Sequence, residues 1–235
     1  MNAPIPSPNI WNDPETYEIE NTAVDRERRL ESAMTAHRSF HGARVLDLGC
    51  GSGFHLERWV ALGADTVVGV EPHPPLVERA EARVAALTAP VRERITVRTA
   101  GAEALPLPDR TVDIMQARWA YFFGSGCEPG LAELDRVMAP DGVAFVLDND
   151  LTRPSTFGEW FAAAYPAYDP EATERFWRRQ GWDRETVVVT WEFERRTDLE
   201  AVVRIEFPPA AAERILAAHD ALTVDYAVVL RTRRF

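Results

Sequence analysis

Apolar residues along most of this chain follow two alternating patterns, short continuous runs and longer segments with helical spacing. The short runs predict strands, and the segments with spacings of three and four predict helices. The predicted strands cover 44–48, 66–70, 95–99, 112–117 and 143–147, and the predicted helices between them cover 56–62, 75–87 and 130–138. Because strands alternate with helices, we expect parallel strands joined by right-handed crossovers in an open, doubly wound α/β sheet.

The residues before the first strand predict an arm and two helices. Residues 1–8 are polar and rich in proline, which is typical of a flexible arm and not of a targeting signal. Asp13 and Pro14 are suited to the N-cap and the first position of a short helix. Apolar residues then recur at helical spacing over 24–38, and Gly42 is expected to close that second helix.

The last third of the chain differs in composition, because aromatic residues are dense over 151–183. We expect this segment to form a cap or the wall of a pocket, with a helix that starts at Asp169-Pro170 and ends at Gly181. Beyond it, the pattern predicts a strand over 186–193, a capping box at 197–200, a helix over 210–219 and a final strand over 226–235. The two late strands are expected to extend the sheet in antiparallel fashion.

No internal repeat or low-complexity segment divides the chain, so we expect residues 1–235 to form a single domain. Its predicted parts are an N-terminal arm with helices (1–41), a ligand-binding core (43–150), the aromatic insert (151–183) and a C-terminal strand-helix-strand unit (184–235).

Composition excludes several classes of function. The 26 basic residues are all arginine, so no lysine is present to form a Schiff base, to hold phosphates in a P-loop or to serve a protein kinase. A net charge of −11 argues against binding nucleic acid through a broad basic surface. Two cysteines and no long apolar run favour the reducing cytoplasm and no membrane association.

The most informative segment is a glycine-rich loop between the first predicted strand and its helix. Gly49, Gly51 and Gly53 allow the backbone to come close to a ligand and leave helix N–H groups free. Glu71 follows the second strand, 22 residues after Gly49, where an acid meets ribose hydroxyls in dinucleotide-binding folds. The dinucleotide fingerprint, however, requires glycine where this chain has Phe54, which disfavours a nicotinamide cofactor.

These residues and several later ones resemble the class I S-adenosylmethionine-dependent methyltransferases. The similar motifs, in chain order, are Asp47-x-Gly49-x-Gly51-x-Gly53, Glu71, Ala102-Glu103-Ala104-Leu105-Pro106 with Pro108-Asp109, Val112-Asp113, and Leu134-x-Arg136-Val137-Met138-x-Pro140-Asp141-Gly142. The resemblance covers roughly residues 43 to 150. It implies a Rossmann-like, seven-stranded sheet in the order 3-2-1-4-5-7-6, flanked by helices, with the last strand antiparallel.

The resemblance also implies S-adenosylmethionine as cofactor, S-adenosylhomocysteine as product and in-line transfer of a methyl group. Implied cofactor-binding residues are Asp47, Gly49, Cys50, Gly51, Gly53, Glu71, Pro72, Gly101, Ala102, Glu103, Ala117 and Arg118. Relatives usually carry aspartate at the place of Gly101, and Glu103 is a candidate to replace it at the adenine amino group. Arg118 is open to three roles: it can hold an anionic acceptor, hold the cofactor carboxylate or form a structural ion pair.

Candidates for catalysis and for the acceptor pocket are fewer. The resemblance places Tyr17, Trp119, Tyr121 and Trp160 near the acceptor, and His55 is the best placed of the five histidines to act as a base. Asp148-Asn149-Asp150 matches part of the Mg²⁺ site of catechol-type relatives, but Arg118 stands where those relatives need a third acid. No metal is therefore expected.

The absence of two acceptor signatures favours a small organic acceptor, with an O, N or C nucleophile. Cys127 lacks the preceding proline of cytosine-C5 methyltransferases, and the Asn-Pro-Pro-Tyr signature of amino-group methyltransferases is missing. We expect a monomer or homodimer that binds neither nucleic acid nor membrane. Two alternatives stay open: a non-catalytic protein that binds the cofactor or a partner, and an NAD(P)-dependent oxidoreductase.

Overall fold

A computed structural model of this chain describes residues 7–120 and 126–235. The strands are β1 Arg44–Leu48, β2 Thr66–Glu71, β3 Ile95–Thr99, β4 Val112–Arg118, β5 Met138–Asn149, β6 Asp183–Glu192 and β7 Thr223–Arg234. The helices are α1 Pro8–Asn12, α2 Pro14–Ala23, α3 Arg29–His37, α4 Leu56–Ala61, α5 Pro74–Ala85, α6 Ala89–Arg92, α7 Glu128–Val137, α8 Thr156–Ala164, α9 Pro170–Arg179, α10 Arg196–Glu206 and α11 Pro209–Ala218.

The seven strands form one sheet in the order β3-β2-β1-β4-β5-β7-β6, which confirms the predicted fold. Strands β1 to β5 are parallel, and β7 runs antiparallel to both of its neighbours. The chain leaves β1 toward β2 on one side and later returns to β4 on the other. In such sheets a crevice opens at the carboxyl ends of the strands where the winding reverses, which here lies between β1 and β4.

Both faces of the sheet are covered by apolar cores, as expected for parallel strands. Val45 of β1 packs in the core on one face, and the next residue, Leu46, packs in the core on the other. Phe145 and Ala144 of β5 divide in the same way, because successive side chains of a strand point to opposite faces. The central strands are therefore fixed on both sides and give the crevice rigid walls.

The N-terminal residues differ from the prediction in two places. Residues 7 and 8, expected in a flexible arm, lead into helix α1, which starts at Pro8. The helix predicted over 24–38 begins only at Arg29, because Val24 instead forms an antiparallel bridge with Trp191. Asp25 has a left-handed backbone, and its carboxylate accepts a hydrogen bond from the Arg29 amide at 2.7 Å. The helix ends at His37, well before Gly42.

Strand β5 is longer than predicted. The strand predicted over 143–147 begins at Met138, so the Pro140-Asp141-Gly142 sequence lies inside β5. Strand β4 pairs with β5 through Val112 and Met138, and the register shifts directly after that pair. Residues 140–142 are therefore accommodated as an irregularity within a paired strand.

The aromatic segment 151–183 contributes helices α8 and α9 to the layers on the two faces of the sheet. Phe157 of α8 is buried in the core on one face of the sheet, and Trp177 of α9 is buried in the core on the other. The capping box predicted at 197–200 is absent, since α10 starts at Arg196 and Arg195 pairs with Asp198 at 2.7 Å. Both segments thus serve packing of the helical layers.

Helices α2 and α10 pack together and bring two carboxyl groups close to each other. Burial and the neighbouring charge of Glu206 raise the pKa of Glu20 well above its ordinary value. Burial also raises the pKa of Glu206, whose carboxylate accepts a hydrogen bond from the Asn9 side chain. The pair therefore keeps a proton to higher pH than isolated carboxyl groups would.

We expect Glu20→Gln to stabilise the protein at pH 8 relative to wild type, on the order of 1 kcal/mol. The pKa of Glu20 is higher in the folded protein than its ordinary value of 4.5. The protonated Glu20 therefore contributes to stability fully below pH 4.5, and this contribution is lost as the pH rises through the folded-state pKa. Urea unfolding between about pH 5 and pH 8 measures this slope. Glu93→Gln, at an exposed position, is the control, and equal slopes in both variants would contradict the assignment.

Candidate functional site

The glycine loop lies at the crevice between β1 and β4. Gly49, Gly51 and Gly53 all have a left-handed backbone, with φ of +74°, +54° and +78°. The amides of Gly49 and Cys50 both donate to the carbonyl of Val70, at 2.8 and 3.1 Å, so the loop bends across the end of β2. Glycine is needed here because other residues rarely adopt this conformation.

Glu71, the last residue of β2, holds the glycine loop through its carboxylate. Its side chain is only 5% exposed. One carboxylate oxygen accepts from the Gly51 amide at 3.0 Å, and the other accepts from the His73 amide at 3.0 Å. Burial raises the pKa of Glu71, whereas these two hydrogen bonds oppose the shift. Glu71 thus joins the strand end to the loop, a structural role that sequence reasoning missed.

Asp47 is the second buried acid of the site. It is 4% exposed and accepts a hydrogen bond from the indole Nε1 of Trp59 at 2.8 Å. Burial raises the pKa of Asp47 to about 6, although the Trp59 hydrogen bond and the charge of Arg118 act in the opposite direction. Asp47 therefore titrates close to neutral pH, and its partner Trp59 was not predicted from the sequence.

Arg118 and His55 meet across the cleft. An Nη atom of Arg118, at the end of β4, lies 3.3 Å from Nδ1 and 3.4 Å from Nε2 of the His55 ring. Burial and the charges of Arg118 and Arg83 lower the pKa of His55 well below its ordinary value. The imidazole is therefore neutral beside a charged guanidinium.

Trp119 follows Arg118 in an unusual backbone conformation, with φ of +47°. Its amide donates to the carbonyl of Leu147 at 2.9 Å, and its indole Nε1 donates to Oδ1 of Asn149 at 3.0 Å. The hydroxyl of Tyr226 donates to the same oxygen, and the Tyr226 and Trp119 rings stack. A strained conformation of a bulky residue persists only where surrounding contacts determine it, and these contacts do so.

The N-terminal helices cover the cleft, and α1, which does so with α2, was not predicted from the sequence. The Trp11 ring stacks on His73 with centroids 4.0 Å apart. Glu18 of α2 forms an ion pair with Arg83 at 2.7 Å. Ile10 lies so close to the loop that a Cβ on Gly51 would be 2.8 Å from its Cδ1. Helices α1 and α2 therefore form one wall of the site.

These elements together form one cleft. It is lined by Ser7, Ile10, Trp11, Tyr17, Asn21, Asp47, Gly49, Cys50, Gly51, Ser52, Phe54, His55, Glu71, Pro72, Arg118, Trp119 and Ala120. The structure thus brings together most of the residues that sequence reasoning placed at the cofactor, as well as His55, Tyr17 and Trp119.

Other predicted residues lie outside this lining. Ala102 and Ala117 are buried in the core, and Gly53 packs against α5. Trp160 packs against Phe207 and His219, away from the cleft, because α8 is part of the helical layer. Tyr121 lies outside the described residues.

Gly101 and Glu103 form a separate local arrangement. A Cβ added to Gly101 would lie 2.4 Å from one carboxylate oxygen of Glu103 and 2.6 Å from the other. The Glu103 carboxylate thus lies directly over Gly101, in space that a side chain at 101 would otherwise need.

Two alternative chemistries find no support in the arrangement of side chains. Burial and the nearby acids raise the pKa of the Cys50 thiol well above its ordinary value, so it is not an activated nucleophile. Asn149 accepts from Trp119 and Tyr226, while Asp150 pairs with Arg184 at 2.5 Å. These oxygens are thus engaged by other side chains of the described residues.

We expect Gly49→Ala to destabilise the protein by about 1–3 kcal/mol more than Gly181→Ala. Both glycines have nearly the same left-handed φ, +74° and +76°. A Cβ at 49 would lie 2.4 Å from the Cβ of Ala120, whereas a Cβ at 181 would meet nothing within 4 Å. Chemical denaturation gives the free energy of unfolding of both variants. Backbone strain lowers it in both, whereas the contact with Ala120 lowers it only in Gly49→Ala. Equal losses would show that the contact with Ala120 is unimportant.

Comparison with known proteins identifies the domain. Residues 45–142 match the family described as "Methyltransferase domain". Over 60 residues the chain is 37% identical to a tRNA U34 carboxymethyltransferase from Pseudomonas fluorescens (strain Pf0-1), a match that covers 24% of this chain and 19% of that protein. The chain thus spans only about a fifth of the length of the curated relatives it matches.

Solved structures share the fold at low sequence identity. The YcgJ protein from Bacillus subtilis has a TM-score of 0.61 at 17% identity, over 89% of this chain and 98% of that chain. Geranyl diphosphate methyltransferase, in a structure with S-adenosylmethionine, has a TM-score of 0.53 at 16% identity, over 88% of this chain and 87% of that chain. The family match thus covers residues 45–142, less than half of the chain, and the solved structures share its fold.

Proposed function

We propose that this protein transfers a methyl group from S-adenosylmethionine to a small organic acceptor. The observation that carries the proposal is that Glu71 and the glycine loop, joined by the hydrogen bond to Gly51, face one cleft. A buried carboxylate at the end of the second strand suits the ribose hydroxyls of a nucleoside cofactor. Phe54 lines the same cleft, so the helix N-terminus is not clear for a pyrophosphate, which disfavours a nicotinamide cofactor.

The residues of the cleft have distinct tasks in this proposal. Gly49 and Gly51 present backbone to the methionine portion, and Glu71 accepts from the ribose hydroxyls. Glu103, lying over Gly101, accepts from the adenine amino group. The bound cofactor supplies an electrophilic methyl group on a sulfonium. The protein then contributes mainly alignment, which in ideal intramolecular reactions is worth roughly 7–11 kcal/mol.

Two features of the cleft concern the reacting groups. Trp119 lines it with an aromatic ring, and aromatic faces attract cations such as a sulfonium. His55 is held neutral, which is the form that can accept a proton from an acceptor, although its lowered pKa makes it a weak base. Asp47, with a pKa of about 6, adds negative charge to the side of the site near the loop.

A small acceptor is favoured by the enclosure of the cleft and by charge. Helices α1 and α2 lie over the loop, with Trp11 stacked on His73. The net charge of −11 repels polyanions at long range. We further propose that residues 1–235 act as one domain, as a monomer or homodimer in the cytoplasm. The chain has only two cysteines, which agrees with a reducing compartment.

A nucleic acid acceptor is the second candidate, because the relatives with matching sequence are named as tRNA-modifying enzymes. Those matches cover less than a quarter of this chain. A labelled methyl donor, offered with either a panel of small organic acceptors or total tRNA, distinguishes the two acceptor classes by where the label appears.

Within the described residues, no helix is both long and apolar enough to cross a bilayer. Calorimetric titration with S-adenosylhomocysteine and with NADH tests which cofactor the cleft binds. Binding of NADH alone would overturn the proposal in favour of an oxidoreductase. Binding of S-adenosylhomocysteine without transfer to either acceptor class would assign the chain to the non-catalytic alternative.

We expect Glu71→Ala to raise the Kd for S-adenosylhomocysteine about tenfold or more, which corresponds to about 1.4 kcal/mol. The variant removes the acceptor for the ribose hydroxyls and leaves the Gly51 amide without its partner. Calorimetry measures the Kd, and thermal unfolding without ligand measures the structural loss separately. Glu78→Ala, at an exposed position of α5, is the matched control. An unchanged Kd in Glu71→Ala would place the cofactor elsewhere.

A further inference from the structure

Arg118 differs from every other arginine in its environment. Fifteen of the 26 arginines form ion pairs with carboxylates. Among the arginines of the described residues that form no such pair, Arg118 alone is partly buried, and all the others are exposed. Its guanidinium lines the cleft instead of pointing to bulk solvent. A structural ion pair, one of the three roles open from the sequence, therefore does not account for it.

The immediate neighbours of Arg118 do not neutralise its charge. The ring of His55 lies 3.3 Å from an Nη atom of Arg118, and burial and the charge of Arg118 itself lower the pKa of His55, which favours the neutral ring. Trp119 is uncharged, with its ring centroid 5.9 Å from the guanidinium carbon. The buried Nε atom of Arg118 makes no hydrogen bond within the described residues. Asp25, Asp47 and more distant groups act on Arg118 only at longer range.

The position of Arg118 is also fixed. The next residue, Trp119, is held by its hydrogen bonds to Leu147 and Asn149, so the end of β4 has little freedom to turn its side chain away. A planar guanidinium with free N–H groups matches the two oxygens of a carboxylate. Removing such a cation from water is costly unless an anion pairs with it.

We propose that Arg118 binds a carboxylate of a small molecule that occupies the cleft. The inference rests on the proposed function, which supplies two sources of this group: the amino-acid portion of the cofactor and the acceptor itself. Arg118 ends β4 and Glu71 ends β2, on opposite sides of β1. The carboxylate is thus bound on the side of the glycine loop opposite to Glu71, which accepts the ribose hydroxyls.

Binding of two nucleosides tests the cofactor as the source. S-adenosylhomocysteine carries the carboxylate, whereas 5′-methylthioadenosine keeps the nucleoside and the sulfur but lacks the amino-acid portion. If the cofactor supplies the carboxylate, Arg118→Met raises the Kd for S-adenosylhomocysteine about tenfold or more and changes that for 5′-methylthioadenosine less than about twofold. Arg214→Met, an exposed position of α11, is the control and leaves both values unchanged.

Binding of a neutral and an anionic probe tests the acceptor as the source. The protein saturated with S-adenosylhomocysteine is titrated with benzoate and with benzamide. If the acceptor supplies the carboxylate, wild type binds benzoate in preference to benzamide, and Arg118→Met abolishes this preference without changing the Kd for S-adenosylhomocysteine. Arg118→Lys keeps the charge without the planar fork and restores only part of the preference.

One result overturns the inference: wild type and Arg118→Met bind S-adenosylhomocysteine, 5′-methylthioadenosine and benzoate alike, within about twofold. Thermal unfolding checks that each variant folds. If Arg118→Met does not fold, Arg118→Lys replaces it in both binding tests. If the proposed cofactor site is wrong, wild type binds neither nucleoside, and titration of the ligand-free protein with benzoate and benzamide then still tests Arg118. If only the proposed transfer reaction is wrong, the nucleosides still bind and both tests of Arg118 stand.

Discussion

The site depends on the hydrogen bond between the Glu71 carboxylate and the amide of Gly51. Strands β1 and β2 end side by side, and this bond, with the amides of Gly49 and Cys50 on the Val70 carbonyl, bends the loop back over the end of β2. Only a left-handed backbone can follow that path. The cleft therefore exists because an acid at the end of one strand holds the loop that follows another.

The same acid that orders the loop also shapes the electrostatics of the cleft. Glu71 is more than nine-tenths buried, and so is Asp47, yet each has hydrogen-bond donors that compensate for lost water. On the other side of β1, Arg118 lies beside neutral His55. The cleft thus carries negative charge on one side and positive charge on the other, which suits a ligand with both charges.

Much of the sheet was predictable because buried parallel strands leave a strong apolar signal. Strands β1 and β3 match their predicted limits, and the glycine loop with Glu71 was located from spacing alone. The covering helix α1 was missed, because its contribution comes from contacts distant in sequence, such as Trp11 on His73. The same reason explains the late start of α3, since Val24 pairs with Trp191, more than 160 residues away.

Net charge and local charge have different consequences in this protein. At a net charge of −11, the long-range field repels anions, but salt at physiological concentration screens it beyond about 8 Å. Recognition of a small anion must therefore come from a short-range contact inside the cleft, where screening is weak. Arg118 is the cation in that position, and its planar fork discriminates by geometry as well as by charge. An acidic protein can in this way select a small carboxylate while its surface still disfavours a polyanion.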